Sequence, residues 1–549
     1  MELTKYLDTI ALSCMGLQKA PTPLELEKAV FTNDLEGVLH YRLAEGRAWY
    51  SADDDEILSF YNYSERIEYN TEPYRYKNKR SFFWARSSLE DEMKRTHSGF
   101  ARDIVDTDVA LLGLPRIKVG GKRKPDSDLI DRKYPMLDGK KPQEALDDIM
   151  EYNDLPRMIQ EEQEPLTLVD GWGAFKITWG EEADVPLVHY YGGERVRIHS
   201  RGSSVFGMTF LDWYSDAQGK RYLIAETRLM KDGRGMIRYN CFRDIGNGTL
   251  APLSREEAAF FTKAQDLDDL PCLFAVPTSF YADTQNGLPG RSIFNGKYSV
   301  FDDIDQAFSQ CANAIRRSTP VEKFDLDYCE RDKDGIARMP KLFERRYIGI
   351  RGMKNAYGEK SGDDPATVSQ PRLDIDMYVR AIELNMRKAI NGHLSPTTIG
   401  LDTERKDNAD AQRESEKITI FTMKHLAGRE KRILERLANQ LLIAYEYITA
   451  KDHVITCDDY DVSVEYDEFG NQSFESKITT LATVLANDGI SPSMYVSKVY
   501  GDSISEADRK SEIKWLESKH TLDTPTVQGD SRGKEGILDG LLDEIGDGE

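Results

Sequence analysis

The stretch TTIGLDTERKDNADAQRESEKITIF, residues 397–421, joins a polar loop to the start of a very long helix. The loop contains a possible hinge at Gly400 and charged residues at its far end. Beyond it, Asp407 or Asn408 can serve as a helix N-cap. We therefore predict a loop over 392–407 and one helix over 408–450. The apolar stripe of this helix includes Leu426, Ile433, Leu437, Leu441, Ala444 and Ile448.

Two shorter helices are predicted upstream of the loop. Apolar residues recur there at steps of three and four, which is the spacing of one helix face. The first helix follows Arg291 and ends at Pro320, and the second runs from about Leu373 to Ile390. The helices bracket residues 320–371, where KLFERRYIGIRGMK has the character of a β insert. The stripes are Phe301, Ile304, Phe308, Cys311 and Ile315 in the first helix, and Ile375, Val379, Ile382, Met386 and Ala389 in the second.

The remaining chain alternates between helical and β-rich regions. Residues 1–112 have mainly helical periodicity, which stops at Gly113 and Pro115. Residues 116–150 begin with RIKVGGKRKPDSD and are predicted to be an exposed polar excursion. A β-meander is predicted from LTLVDGWGAFKITWG onward, because apolar and polar residues alternate between Gly-containing turns. A strand pair near 461–475, helical segments over 476–520 and a mobile acidic tail over 521–549 complete a chain of α+β class.

Composition identifies a globular protein with a strong acidic balance. Hydrophobic residues make up 40% of the 549 residues, which is enough to build a large core. The net charge of −22 argues against a protein that coats the outside of nucleic acid, but it is compatible with a channel through which DNA slides. The six cysteines are scattered, and the N-terminus MELTKYLDTIALSCMG lacks the pattern of a signal peptide. These features favour a reducing, cytosol-like compartment and no membrane segment.

Motifs of known catalytic sites are missing. The segment GRSIFNGKYS has glycines at the wrong spacing for a phosphate-binding loop, and Tyr298 stands where a Mg-ligating hydroxyl is needed. HExxH, GxSxG and paired CxxC motifs are absent. The acidic run SADDDEIL, residues 51–58, is interpreted as a helix cap or solvated face, although a dispersed acidic metal site stays open. We predict no catalytic residue, no metal site and no cofactor.

The order of these elements resembles the portal protein of tailed bacteriophages. Three segments carry the resemblance: HSGFARDIVDTDVALLGLP, GRSIFNGKYSVFDDIDQAFSQCANAIRRS and NADAQRESEKITIFTMKHLAGREKRILERLANQLL. They are patterns of spacing, and the resemblance as a whole covers most of the chain, from about residue 80 to 515. The resemblance implies a wing over 1–290, stem helices over 291–319 and 372–391, a clip over 320–371, a tunnel loop over 392–407, a tunnel helix over 408–450, wing strands over 451–475 and a crown over 476–520.

The same resemblance implies a function. Portal proteins form a ring of about twelve subunits at one capsid vertex, through which double-stranded DNA is packaged and ejected. The implied partners are the large terminase, a head-completion adaptor, and the major capsid and scaffolding proteins. The implied location is the virion, with the host cytoplasm during assembly. A portal receives work from a separate ATPase, which agrees with the missing phosphate loop and predicts that this chain is not an enzyme.

Candidate contact residues follow from charge and position. The tunnel loop would present Thr403, Glu404, Arg405 and Lys406 to DNA, although a loop of this composition can also be an ordinary solvated turn. Arg387 and Lys388 could form a basic band in the channel, or could simply complement the helix dipole. The clip would bind partners through Arg345, Arg346, Arg351 and Lys354.

Two other functions remain open at this level. A DNA-processing enzyme such as a nuclease would need a dispersed acidic metal site and would cleave DNA with Mg²⁺ or Mn²⁺. Another viral scaffold would assemble through the long helix as a coiled coil. The heptad repeat of that helix is broken from Ala427 to Arg432, which counts against the coiled coil.

Overall fold

The computed structural model describes most of the chain. The described residues are 35–67, 82–85, 94–122, 139–180, 184–201, 204–216, 219–245, 250–253, 266–283, 288–318, 321–325, 333, 335, 346–350, 366–369, 373–402, 409–449, 460–466, 481–483, 485, 490–500 and 506–522. They divide into two compact units, residues 1–469 and 470–549.

Helices and strands are mixed along the chain. The helices are α1 (Leu35–Ser51), α2 (Asp54–Ile67), α3 (Phe100–Leu112), α4 (Pro142–Tyr152), α5 (Leu155–Met158), a π-helical turn (Ile159–Gln163), α6 (Glu164–Asp170), α7 (Tyr298–Arg317), α8 (Ile375–Ile390), α9 (Ala409–Thr449), α10 (Pro492–Tyr500) and α11 (Glu506–Leu522). The strands are β1 (Arg116–Lys122), β2 (Gly173–Thr178), β3 (Leu187–Gly192), β4 (Val196–Arg201), β5 (Ser204–Ser215), β6 (Arg221–Lys231), β7 (Arg234–Asp244), β8 (Leu250–Pro252), β9 (Leu267–Leu270), β10 (Ala275–Thr278), β11 (Val321–Asp325), β12 (Arg346–Ile350), β13 (Ala366–Ser369) and β14 (Tyr460–Glu465).

The strands form four separate sheets. The predicted meander is confirmed as an antiparallel sheet in the order β4-β5-β6-β7-β8, with β9 also paired to β7. A second sheet has the order β10-β2-β3, and a third joins β1 to β14. The fourth sheet lies between α7 and α8 in sequence, and its central strand β11 pairs in parallel with β12 and antiparallel with β13. The predicted β insert between two helices is therefore confirmed.

The long helix α9 spans 41 residues and crosses between two hydrophobic clusters. Its first half contributes Met423 and Leu426 to a cluster built with α1, α2, α3, the start of α7 and the end of α8. Its second half contributes a continuous set from Ile433 to Tyr445 to a cluster built with α4 and the sheets of β2 and β14. The break in the heptad repeat lies where the helix leaves one cluster and enters the other.

One expectation from the sequence was wrong. Residues 116–150 are not simply an exposed excursion, because they include β1 and the helix α4, which buries Ala145, Leu146 and Ile149. The strand predicted near residue 461 is present as β14 and pairs with β1, from Arg116↔Glu465 to Lys122↔Tyr460, whereas the rest of the predicted strand pair, from residue 467 onward, lies outside the described residues. Local alternation cannot reveal a partner so far away in the sequence.

The second unit contains α10 and α11, which contact each other. This agrees with the helical segments predicted there. The tail from residue 523 onward lies outside the described residues.

Candidate assembly surface and its anchors

The helices α7 and α8 pack against each other and share a gradient of burial. At one end of the pair, Phe301 and Ile304 of α7 and Ile390 of α8 are buried. At the other end, Ile315 of α7 is 48% exposed and Ile375 of α8 is 43% exposed. The predicted stripes are therefore real, but the protein buries only the end of each stripe that meets the body.

Helix α8 has a second apolar face. Met377 and Leu384 are 58% and 67% exposed, the highest values on this helix among the large apolar side chains. They are separated by about two helical turns and so share a face. Ile375 and Val379 lie two residues on either side of Met377, a rotation of roughly 200°, so the exposed face is opposite the predicted stripe. The sequence analysis missed this face because it followed one stripe only.

Helix α9 has the same arrangement in its first half. Met423 and Leu426 are fully buried, whereas Ile418 and Phe421 are 42% and 59% exposed. A step of three residues places Ile418 and Phe421 next to each other on the surface of the helix. A single exposed apolar side chain is ordinary, but apolar pairs opposite the buried stripes of two helices are typical of an interaction surface. We call Met377, Leu384, Ile418 and Phe421 the outer apolar set.

Buried acids on α7 anchor the helix pair to the body. Asp302 accepts hydrogen bonds from the backbone N–H groups of Phe83 (2.8 Å) and Trp84 (3.4 Å). Asp305 is fully buried and accepts from the indole Nε1 of Trp84 at 3.0 Å and from the backbone N–H of Ser98 at 2.8 Å. The Nδ1 of His97 lies 2.6 Å from Asp305 and completes the cluster.

Burial and charge set the protonation of this anchor cluster. Burial by itself would lower the pKa of His97, but the hydrogen bond and the negative charge of Asp305 outweigh it and raise that pKa above its ordinary value. Burial raises the pKa of Asp302 to about 7, although the backbone donors of Phe83 and Trp84 oppose the shift. When His97 is protonated, its positive charge lies against the buried side chain of Asp305.

The loop after α8 is packed on the body over its described part. The Nε2 of His393 lies 2.6 Å from Asp108 of α3, and both side chains are buried. Thr419 of α9 accepts from the backbone N–H of Ser395 at 2.8 Å, and its hydroxyl lies 2.7 Å from that of Thr398. The prediction of a polar, freely hinged loop is therefore wrong for residues 392–402. Gly400 has φ +77° and makes a turn, since the N–H of Leu401 bonds back to Pro396 at 2.9 Å.

The basic residues predicted for the channel lie at the end of α8. Arg387 and Lys388 are both exposed and both occupy the last turn, where cations complement the helix dipole. Arg387 also donates through Nη2 to the carbonyl of Leu401 at 2.7 Å, and this hydrogen bond ties the loop to the end of α8. The other predicted contact residues, apart from Arg346, lie outside the described residues: Thr403, Glu404, Arg405, Lys406, Arg345, Arg351 and Lys354. Of Arg346, in β12, only the backbone is described.

Sequence motifs without a catalytic interpretation have structural roles here. Gly296 has φ +83° and belongs to the turn that leads into α7. In the acidic run 51–58, Asp53 accepts from the backbone N–H of Asp55 at 2.7 Å and caps α2. Cys241, Cys272 and Cys311 are thiols and not halves of disulfides.

Within the described ranges, no group of three or more His, Cys, Asp or Glu side chains is arranged to hold a metal ion. None of the helices in this part of the chain is both long and apolar enough to cross a membrane.

The buried polar residues that attach α7 and the loop to the body gave only a weak signal in the sequence. Asp302 and Asp305 stand directly beside Phe301 and Ile304, at the helical spacing of the apolar stripe, which could have marked them as buried. Nothing local connects Asp108 with His393 or Ser395 with Thr419, because these pairs are far apart in sequence.

Comparisons with known proteins give structural neighbours only. No protein family and no curated protein matches the chain. A chain from the neck of the native GTA particle, computed with C12 symmetry, is similar with a TM-score of 0.34 and 11% identity, over 82% of this chain and 93% of that chain. A chain from the virion of the native gene transfer agent (GTA) particle has a TM-score of 0.36 and 10% identity, over 76% of this chain and 89% of that chain. These scores are too low to establish a common fold.

Proposed function

We propose that the protein is a portal-type subunit that forms a ring and conducts double-stranded DNA at one vertex of a phage-like capsid. The observation that carries the proposal is the outer apolar set, which leaves two helices with a second apolar face and no partner within the described chain. A second copy of the chain is a partner that supplies such a face repeatedly, and a repeated head-to-tail contact forms a ring when the rotation between subunits closes.

The order of elements supports the same proposal. The helices α7 and α8 leave the body together and carry the small sheet of β11, β12 and β13 at their exposed ends. In the proposed ring they are the stem and that sheet belongs to the clip, which meets the terminase and later the adaptor. The loop after α8 and the helix α9 then face the channel. The acidic balance of the chain, with 95 Asp and Glu against 73 Lys and Arg, disfavours tight binding of the DNA phosphates and so lets DNA slide.

The proposed role is mechanical. The protein performs no hydrolysis, needs no cofactor and belongs to the virion, where capsid and scaffolding proteins surround it. Its anchors serve this role, since the buried bonds of Asp302 and Asp305 attach the stem to the body and transmit force between them.

The variant Leu384→Glu tests the assembly surface. Leu384 is 67% exposed, so the monomer tolerates the change. Burying a leucine side chain contributes about 1.5–3 kcal/mol, and an unpaired carboxylate in the same contact costs more. Each subunit contact should therefore weaken by at least about tenfold. Lys231→Gln, at the exposed turn between β6 and β7, changes the net charge by the same amount and is the control.

Electron microscopy and mass measurement in solution provide the result. The wild type and K231Q should form rings of about a dozen subunits around an open channel, and L384E should be mainly monomeric. Rings of L384E as abundant as those of K231Q would remove this face from the subunit contact. A filament or a closed particle from the wild type would contradict the portal proposal itself.

A further inference from the structure

Two buried glutamates lie at the seam between the two hydrophobic clusters. Glu430 of α9 lies between Leu426, which belongs to one cluster, and Ile433, which belongs to the other. Glu164 is the first residue of α6 and directly follows the π-helical turn. Both residues have 0% exposure. Tyr466 packs against both clusters, and its pKa is raised by burial and by the negative charges of both glutamates.

The oxygen atoms of this group lack hydrogen-bond donors. The amide Nε2 of Gln163 donates to Oε2 of Glu430 at 3.1 Å. In the described part of the chain, neither carboxylate oxygen of Glu164 has a hydrogen-bond partner, and the same holds for Oε1 of Glu430, Oε1 of Gln163 and the hydroxyl of Tyr466. Five buried oxygen atoms are therefore left unsatisfied in one region, which is costly for a folded protein.

Two other buried acids among the described residues have partners for their carboxylates. Asp170 is paired with Arg47 at 2.7 Å, and Asp305 accepts from the indole of Trp84 and from Ser98. No ion pair to Glu164 or Glu430 occurs among the described residues, and the donor nearest to this pair is the amide of Gln163. The group has acceptors in excess and lacks positive charge.

We propose that Glu164, Glu430, Gln163 and Tyr466 form a binding site for one hard divalent cation of the Ca²⁺ type. Such ions bind carboxylate, amide and hydroxyl oxygens in flexible geometry and take water for the remaining positions. Two carboxylates balance the charge of one divalent ion. The ion ties α9 to α6 at the point where the long helix passes between the clusters, and so fixes the half of α9 that carries Ile418 and Phe421.

The pKa values of both glutamates agree with the lack of positive charge around them. Burial, with the charge of Glu430 as the second cause, raises the pKa of Glu164 to about 10. Burial also raises the pKa of Glu430 to about 8, although the hydrogen bond from Gln163 opposes this.

Calorimetric titration of the full-length chain with CaCl₂, after removal of metals with a chelator, tests the site. The wild type should bind about one ion per chain and unfold at a higher temperature with Ca²⁺. Glu164→Gln and Glu430→Gln keep the side-chain shape and should lose the binding. Glu162→Gln, at an exposed position two residues from Glu164, is the matched control and should bind as the wild type does.

The outcomes are separate from those of the proposed function. Absence of Ca²⁺ binding in the wild type, or equal binding by E164Q, E430Q and E162Q, would overturn the site. The first of these outcomes is measured on the wild type and needs no variant to fold. Ring formation is scored independently by microscopy.

Discussion

Removal of the Asp305 side chain should separate the helix pair from the body. Asp305 accepts from three buried or half-buried donors: Nε1 of Trp84 at 3.0 Å, Nδ1 of His97 at 2.6 Å and the backbone N–H of Ser98 at 2.8 Å. In Asp305→Ala all three donors lose their acceptor. A buried donor without an acceptor costs about 1–3 kcal/mol. Because water can enter and the loop around Ser98 can relax, we expect a loss of about 3–6 kcal/mol in the free energy of unfolding.

Urea unfolding followed by tryptophan fluorescence measures this loss. Trp84 and Trp49 both pack against His97, so the signal reports the anchor cluster directly. Asp303→Ala is the control, because Asp303 is an exposed carboxylate on the same helix and should change stability by less than about 0.5 kcal/mol. If D305A unfolds at the same urea concentration as D303A, the anchor makes no net contribution and the force path proposed for the stem is wrong.

Other predictions concern pH and the loop. His97 and Asp302 both bind protons more tightly in the folded state, because folding raises the pKa of each. The contribution of His97 to the free energy of unfolding is complete below its ordinary pKa of 6.5 and is lost as pH rises through its raised pKa. The contribution of Asp302 is lost as pH rises from its ordinary pKa of 3.8 to about 7. The free energy of unfolding measured by urea titration should therefore fall as pH rises from about 4 through 7, and H97Q should reduce the part of the fall above pH 6.5; an equal fall in H97Q would contradict the assignment. Thr419→Val leaves the N–H of Ser395 without its acceptor and should speed hydrogen exchange of residues 395–401 by roughly tenfold or more, whereas Thr422→Val, a threonine with no contact to the loop in the structure, should leave exchange unchanged. Deletion of Thr403–Lys406, which spares the packed residues 397–401, should preserve rings and impair DNA packaging, and normal packaging would remove those residues from the channel. Charge reversal at Arg345 and Arg346 should weaken adaptor binding in a pull-down assay, and unchanged binding would exclude both from that interface.

The sequence by itself determined the elements whose signals are local. The helices at 298–317, 375–390 and 409–449 were predicted within a few residues, because an α-helix repeats its apolar face every three or four residues and its end signals are adjacent. The same reasoning identified the meander and the β insert between α7 and α8. The broken repeat at 427–432 was also visible, although its meaning was not.

Tertiary structure alone decided which polar residues are buried and which elements pair. Strand β1 has its partner in β14, and α4 is covered by α9 and β1, so neither environment can be read from neighbouring residues. Glu430 has the sequence of an ordinary helix surface, yet it is fully buried because α9 passes between two clusters at that point. Burial depends on what the rest of the chain places against a residue. For this reason the helices α7 and α8, the insert and the long helix could be located from sequence, whereas the anchors, the outer apolar set and the buried glutamates could not.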